Sequence, residues 1–196
     1  AGAALCVAVG LALLWWGHGL VYLSYDFSFL IREPKSPDDL LIIHLDDPSF
    51  NKLGQDNTAA WDRNLHAQLL YRLTEADARL VVLDIMLDLP GEPAADTNLA
   101  RAIRENGRVV LAAVLDSRDR KQAHVKTTIL PQPEFVEAAA GWGIAALSTA
   151  DKAVIRHYNA GTSTKPALAW RAAELLEATI TKRAHAEHPV FWLNYH

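Results

Sequence analysis

Carboxylates stand at the ends of three apolar runs, and these are the residues of this chain best placed to do chemistry. Asp46 and Asp47 close LLIIHLDD, Asp84 lies within LVVLDIML with Asp88 four residues on, and Asp116 closes RVVLAAVL. Brought together, such carboxylates raise one another's pKa or draw in a hard cation. Kept apart, they cap helix N-termini or accept from loop amides, the commoner job at strand ends. Arg63 and His66 fall between the first two runs. Arg63 is expected to pair with Asp46 or Asp47, fixing geometry more than adding stability. His66 reads as a structural histidine first and a ligand contact second. The ligand-binding set is therefore Asp46, Asp47, Arg63, His66 and Asp84.

Other constellations fall short. His185 and His188 bracket Glu187 at an i, i+3 spacing that suits zinc, but no third ligand lies nearby, so no metal site is expected. There is no GxSxG, no P-loop and no catalytic cysteine, and no Gly-rich fingerprint follows the first run. Neither an enzyme nor a resident cofactor is expected. Cys6 is the only cysteine, which excludes an intramolecular disulfide and a Cys-based zinc site. A net charge of -4, with pI near 6.1 and no basic stripe, argues against nucleic acid as a partner.

To bring those acids to one edge, the chain needs a parallel sheet. Leu40–Asp47 reads as a buried strand. Asp62 caps a helix with Leu65, Leu69, Leu70 and Leu73 at helical spacing. Leu80–Leu87 is a second strand, closed by Pro90 and Gly91. Asp96 caps a second helix with Leu99, Ala102 and Ile103 on one face, Gly107 stops it, and a third strand starts at Arg108. This alternation with short links is the signature of right-handed βαβ units, and continuous apolar runs fit a sheet covered on both faces. Open α/β sheets bind ligands at the carboxyl ends of their strands. Asp116 to Pro131 reads as a polar loop and Glu134 to Ala140 as a short helix. Gly141–Ala146 and Ala153–Tyr158 form a hairpin around Asp151–Lys152. A long helix runs from Pro166 to about Lys182, and Val190–Tyr195 is a last strand. The fold class is α/β: a three-layer sandwich with a largely parallel sheet, a C-terminal hairpin and a helix.

The N-terminus has a different character. No charged side chain precedes Asp26, and Ala1–Leu23 is apolar almost throughout. A stretch of about 20 apolar residues crosses a bilayer as a helix, whereas a signal peptide has a shorter apolar region behind a basic start. Trp15, Trp16, Tyr22 and Tyr25 crowd one end, as at a membrane interface. The chain opens without Met, and sequence ahead of Ala1 is expected. Residues 1–25 thus read as a transmembrane helix, 26–39 as a juxtamembrane linker broken by Pro34 and Pro37, and 40–196 as the α/β domain. His18, between Gly17 and Gly19, is expected to anchor at the lipid interface beside Trp15 and Trp16. Contact with another helix, or ligation of a porphyrin or chlorin metal, are its alternatives.

Two family resemblances arise. LVVLDIMLDLPG resembles the phosphoacceptor strand of a response-regulator receiver, with Asp46 and Asp47 as its metal-binding acids. A receiver, however, needs two helices and a strand where Pro48 to Arg79 holds a loop and one helix, and no later strand ends in Lys. The whole chain better resembles the second type of CHASE domain, the cyclase/histidine-kinase-associated sensory extracellular module. Tyr25, Asp26 and Arg32 match its lead-in, and Asp46, Asp47 and Ser49 its first strand end. Trp61, Arg63, His66, Ala67, Leu69, Leu70 and Leu73 match its Trp-led helix. Ala78, Val81, Val82 and Asp84 follow, then Asp96, Leu99, Ala100, Ala102, Arg104, Gly107, Val109, Val110, Leu111 and Ala112. Gly141, Gly143, Val154, Ile155, Arg156, Pro166, Leu168, Ala169, Asn194 and Tyr195 complete the order.

The resemblance implies a non-catalytic sensor in a bacterial inner membrane, with a single span here and its main domain periplasmic. A small molecule or neighbouring protein would be recognised and the signal passed through the span. Membrane lipid, other transmembrane proteins and an output domain beyond His196 are the implied partners. The alternative is a structural accessory subunit whose span packs against other spans and whose α/β domain caps the periplasmic face of a larger complex.

Overall fold

The structure is a computed structural model that describes residues 6–7, 10, 19, 21–27, 37–56, 60–116, 127–146, 155–182 and 190–193. Two compact units divide the chain, one N-terminal and ending at Ile43, the other running His44–Leu193. In the first, residues 21–27 are helical. Among the described residues no helix is long and apolar enough to cross a membrane. Most of 1–25, including Trp15, Trp16 and His18, lies outside them.

The second unit opens with α1 (Asp47–Lys52) and α2 (Arg63–Glu75). As the sequence predicts, Asp62 caps α2 by accepting from the Asn64 N–H at 2.9 Å. Ala67 and Leu70 of α2 are fully buried. β1 (Val81–Leu83) follows, then α3 (Pro93–Asn106) and β2 (Val109–Asp116). β1 and β2 pair in parallel with Val81 opposite Val109, so the central βαβ unit is as expected. α3 ends at Gly107, whose φ of +68° suits glycine and whose N–H donates to the Ile103 carbonyl at 3.0 Å. α3 begins earlier than the sequence suggests. Its cap is Glu92, which accepts from the Ala94 and Ala95 N–H groups at 3.1 and 2.8 Å, with Pro93 in the first turn.

β3 (Thr127–Ile129) folds back antiparallel on the end of β2. After α4 (Pro133–Ala138), β4 (Gly141–Ile144) joins β2 in parallel, on the sheet shared with β1. The expected C-terminal hairpin is therefore not formed by these segments. β4 belongs to the main sheet, while β5 (His157–Asn159) pairs antiparallel with β6 (Val190–Trp192). The expected turn at 147–154 lies outside the described residues. The long helix also divides. α5 (Leu168–Leu175) ends where Glu177 takes φ +53°, and a 3-10 turn, Thr179–Lys182, follows. α5 has no side-chain cap of its own; the Tyr158 hydroxyl, reaching from β5, accepts the Trp170 N–H at 2.7 Å.

Helices cover both faces of the sheet. On one, Leu70, Leu99, Ile103 and Phe135 from α2, α3 and α4 pack on Val81, Leu83, Val109 and Leu111. On the other, Val110 and Ala112 meet Leu168 of α5. Gly143 permits that contact: a Cβ there would lie 2.6 Å from the Leu168 Cα. Residues 40–46 correct the sequence reading. LLIIHLDD is not a strand; 40–46 have neither helix nor strand, and Leu40, Leu41, Ile42, Ile43 and Leu45 are exposed.

Candidate functional site

Arg63, in the first turn of α2, organises the β1–α3 loop. Its guanidinium donates to the Asp96 carboxylate and to the Leu89 carbonyl, and lies 5.2 Å from the centroid of the Phe135 ring. The Arg63 and Asp96 side chains are only 8% and 7% exposed, so this ion pair is desolvated. Asp96 Oδ2 accepts from the Gly91 N–H at 2.8 Å. A Cβ on Gly91 would approach Asp96 Oδ1 at 2.9 Å and Arg63 Nη1 at 3.1 Å, so only glycine fits without moving the pair. From the far side, Gln132 donates its backbone N–H to the Leu87 carbonyl at 2.8 Å and its side-chain amide to the Asp88 carbonyl. Loop 84–91 is thus held at Leu87, Asp88, Leu89 and Gly91, while Asp84, Met86 and Leu89 face solvent.

These contacts overturn the expected pairing of Arg63 with Asp46 or Asp47. A guanidinium already satisfied by Asp96 and Leu89 in a buried setting has its charge compensated. Nor does Asp96 serve as the helix cap, since its carboxylate is turned to Arg63 and Gly91. Asp96, Gly91 and Gln132 were missed by sequence reasoning. The partners Arg63 and Asp96 are 33 residues apart, and no local spacing pairs them.

Asp46 caps α1. Its carboxylate accepts from the Ser49 N–H at 3.0 Å and from the Ser49 hydroxyl, which together hold its pKa below the ordinary carboxylate value. Asp47 sits exposed in the first turn, a favourable place for negative charge at a helix N-terminus. Asp84 is exposed just after β1. Extending the β1–β2 register sets it opposite Ala112, so Asp116 lies four residues, or about 13 Å, further along β2. Those two backbone positions do not converge. Among the described residues no group of three His, Cys, Asp or Glu side chains is placed to hold a metal ion. His185, Glu187 and His188 lie outside the described residues.

His66 is buried on α2, its ring 6.2 Å from that of Trp61 and nearly parallel to it, at 19°. Trp61 in turn meets Phe50 of α1 edge-on at 4.7 Å. This aromatic chain ties α1 to α2. Burial lowers the His66 pKa, the nearby Arg63 charge lowers it further, and Asp62 opposes both. The imidazole is therefore held neutral beside the Arg63 node. At the opposite edge of the sheet, ahead of β1 and β2, a depression of about 370 Å³ is lined by Arg79, Arg108, Leu175, Leu176 and Glu177. Arg108 is committed there to Asp77 at 3.0 Å and to the Ala78 carbonyl at 3.3 Å.

Fold and site together define a mixed α/β domain: a parallel sheet covered on both faces, with a clamped loop at the carboxyl end of β1. Matching the chain against protein families gives the CHASE2 domain over residues 3–196, so the chain belongs to the CHASE2 family. CHASE2 is a family of extracellular sensory domains, generally non-catalytic. No curated protein and no solved structure matches the chain.

Proposed function

We propose that this chain is a membrane-anchored, extracytoplasmic sensory domain that recognises a small molecule or a neighbouring protein without transforming it. The observation that carries the reading is the CHASE2 match, which extends from residue 3 and so includes the uncharged N-terminal stretch. Residues 1–25 cross the membrane in this reading, and 26–39 link the span to the domain. Recognition takes place at the carboxyl end of β1. Asp84 presents its carboxylate from the clamped loop, and Asp46 and Asp47 offer further acceptors. Arg63 acts from beneath by fixing the loop, and His66 by fixing α2 against α1. Binding selects one of two arrangements of the domain and shifts the attached span by population shift.

The test is thermal unfolding of the full chain in detergent against a panel of amino acids, organic acids, sugars and divalent cations. A ligand at about 100 times its Kd stabilises by about 2.7 kcal/mol, which for a domain this size raises Tm by about 5–11 °C. The shift is expected to vanish in Asp84→Asn. A stabilising ligand whose effect survives Asp46→Asn, Asp47→Asn and Asp84→Asn alike overturns this placement of the site. A panel that produces no shift argues against small-molecule sensing.

A further inference from the structure

The depression ahead of β1 and β2 lies at the opposite edge of the sheet from Asp84, and its chemistry suits an anion. Three of its five lining residues are charged: Arg79, Arg108 and Glu177, beside Leu175 and Leu176. The Val81 N–H, donating to the Arg108 carbonyl at 2.9 Å, ties the starts of β1 and β2 together there. The cations are not equivalent. Arg108 is held, donating to Asp77 at 3.0 Å and to the Ala78 carbonyl at 3.3 Å. Lys182 pairs with Glu177 at 3.5 Å. Arg79 is exposed and makes no hydrogen bond or ion pair among the described residues. Three cations thus meet two carboxylates, which leaves one positive charge in excess in a chain whose net charge is -4.

The backbone at this edge is costly. Among the described residues, Asp77 at φ +51° and Glu177 at φ +53° are the only non-glycine residues with positive φ, and both serve the depression. Each follows a helix as its left-handed closing residue. The Ala78 N–H returns to the Leu73 carbonyl at 3.0 Å, and the Ala178 N–H to the Ala173 carbonyl at 2.9 Å. Glycine is the usual residue at such a position and takes it without strain. Here both positions carry carboxylates, and each carboxylate holds a cation, Asp77 on Arg108 and Glu177 on Lys182. Strained backbone of this kind collects at functional sites. Neutralising a helix end accounts for Arg108, which reaches the Ala78 carbonyl, but not for Arg79, which donates to no described carbonyl.

We infer that this depression binds a phosphate group, with Arg79 as its principal donor and Arg108 as the second. A guanidinium fork meets phosphate oxygens two at a time, and Arg108 keeps N–H groups beyond those given to Asp77 and Ala78. A volume of about 370 Å³ takes a phosphate with a short group attached, such as glycerol. Leu175 and Leu176, the latter 40% exposed, offer its carbon atoms an apolar wall. Soluble phosphate esters and phospholipid headgroups carry this same chemistry, and the test separates them. The site is independent of Asp84 and of whatever is recognised at the carboxyl end of β1.

The test uses the full chain. In detergent, glycerol phosphate is titrated and its phosphorus NMR resonance is expected to broaden saturably. Arg79→Gln should weaken that binding by about tenfold or more, as for a lost charge-assisted bond. Asp77→Gly, which relaxes the backbone and releases Arg108, should weaken it several-fold without lowering Tm. For the headgroup, a Cys6→Ser/Leu176→Cys chain carries an environment-sensitive dye in nanodiscs. A lipid source shifts the dye emission to the blue in phosphatidylglycerol discs relative to phosphatidylcholine discs, and Arg79→Gln abolishes the shift. Saturation by glycerol phosphate without a dye shift assigns the site to soluble phosphate esters, and a dye shift without saturation assigns it to a headgroup. The inference is overturned if neither occurs, or if either persists unchanged in Arg79→Gln. Unchanged binding in Asp77→Gly takes Arg108 out of the site.

Discussion

Replacing Asp96 by alanine removes the acceptor facing both the Arg63 guanidinium and the Gly91 N–H. Arg63 cannot shed its proton, and with its side chain 8% exposed it cannot regain full hydration. The Leu89 carbonyl and the face of Phe135 remain, but neither carries a compensating charge. Breaking a buried pair in this way costs about 3–5 kcal/mol. At about 2–4 °C per kcal/mol for a domain of this size, Asp96→Ala should lower Tm by about 6–20 °C. The double variant Arg63→Met/Asp96→Leu replaces the pair with apolar side chains of similar volume and should recover most of the loss. It should not recover the loop: without the bond to Leu89, amide hydrogen exchange over 85–91 should quicken even where Tm is restored. Urea unfolding followed by tryptophan fluorescence, together with exchange mass spectrometry, reads both quantities. If Asp96→Ala unfolds within about 1 kcal/mol of the unaltered chain, the pair is not a desolvated anchor. If the double variant is as unstable as the single one, the loss comes from packing rather than from stranded charge.

Two further outcomes follow from the same geometry. Burial and Arg63 hold the folded His66 pKa below its ordinary 6.5, so between those two values the unfolded chain binds more protons. The His66 contribution is complete above its ordinary pKa and is lost as pH falls toward the folded value. Stability should therefore drop as pH falls below about 6.5, the ordinary imidazole value. His66→Phe, which keeps the stack on Trp61, should flatten that slope in urea titrations, and equal slopes would refute the role given to this imidazole. Gly143→Ala places a Cβ 2.6 Å from the Leu168 Cα, a backbone atom that cannot rotate away. Forcing α5 off the sheet should cost about 1–3 kcal/mol in thermal unfolding, as for other overpacked sites, and an unchanged Tm would show that α5 does not sit tightly on β4.

The parts of the fold written in local chemistry were legible in the sequence. Asp62 caps α2, Leu70 and Leu73 of α2 pack on the core, Gly107 ends α3, and the apolar runs at Val81 and Val109 are adjacent parallel strands. What failed was the choice of partner. LLIIHLDD has the composition of a buried strand as plainly as RVVLAAVL does, but composition states a need for burial and not where that need is met. Gly141–Ala146 reads as a strand and β4 fills Gly141–Ile144 of it, yet its partner is β2, a pairing made only once α4 has turned the chain. Asp96 suits a cap by residue type, but Glu92 and Pro93 already start the helix one turn earlier, which frees Asp96 for Arg63. At the site, Asp84 was read as lying within a strand from Leu80 to Leu87; β1 stops at Leu83, so Asp84 instead opens the loop that follows. The clamp of Arg63, Asp96 and Gln132 was hidden because its members are joined by the fold rather than by spacing.

The central claim is that the α/β domain stands outside the cytoplasm on an N-terminal span. Cys6→Ser with Lys52→Cys gives a chain with one thiol, on an exposed position of α1 in the second unit. In intact spheroplasts carrying this variant in the inner membrane, a membrane-impermeant maleimide is predicted to label that introduced thiol before lysis as fully as after it, and alkaline carbonate should leave the chain in the membrane pellet. Labelling only after lysis, or release into the carbonate supernatant, would contradict the account.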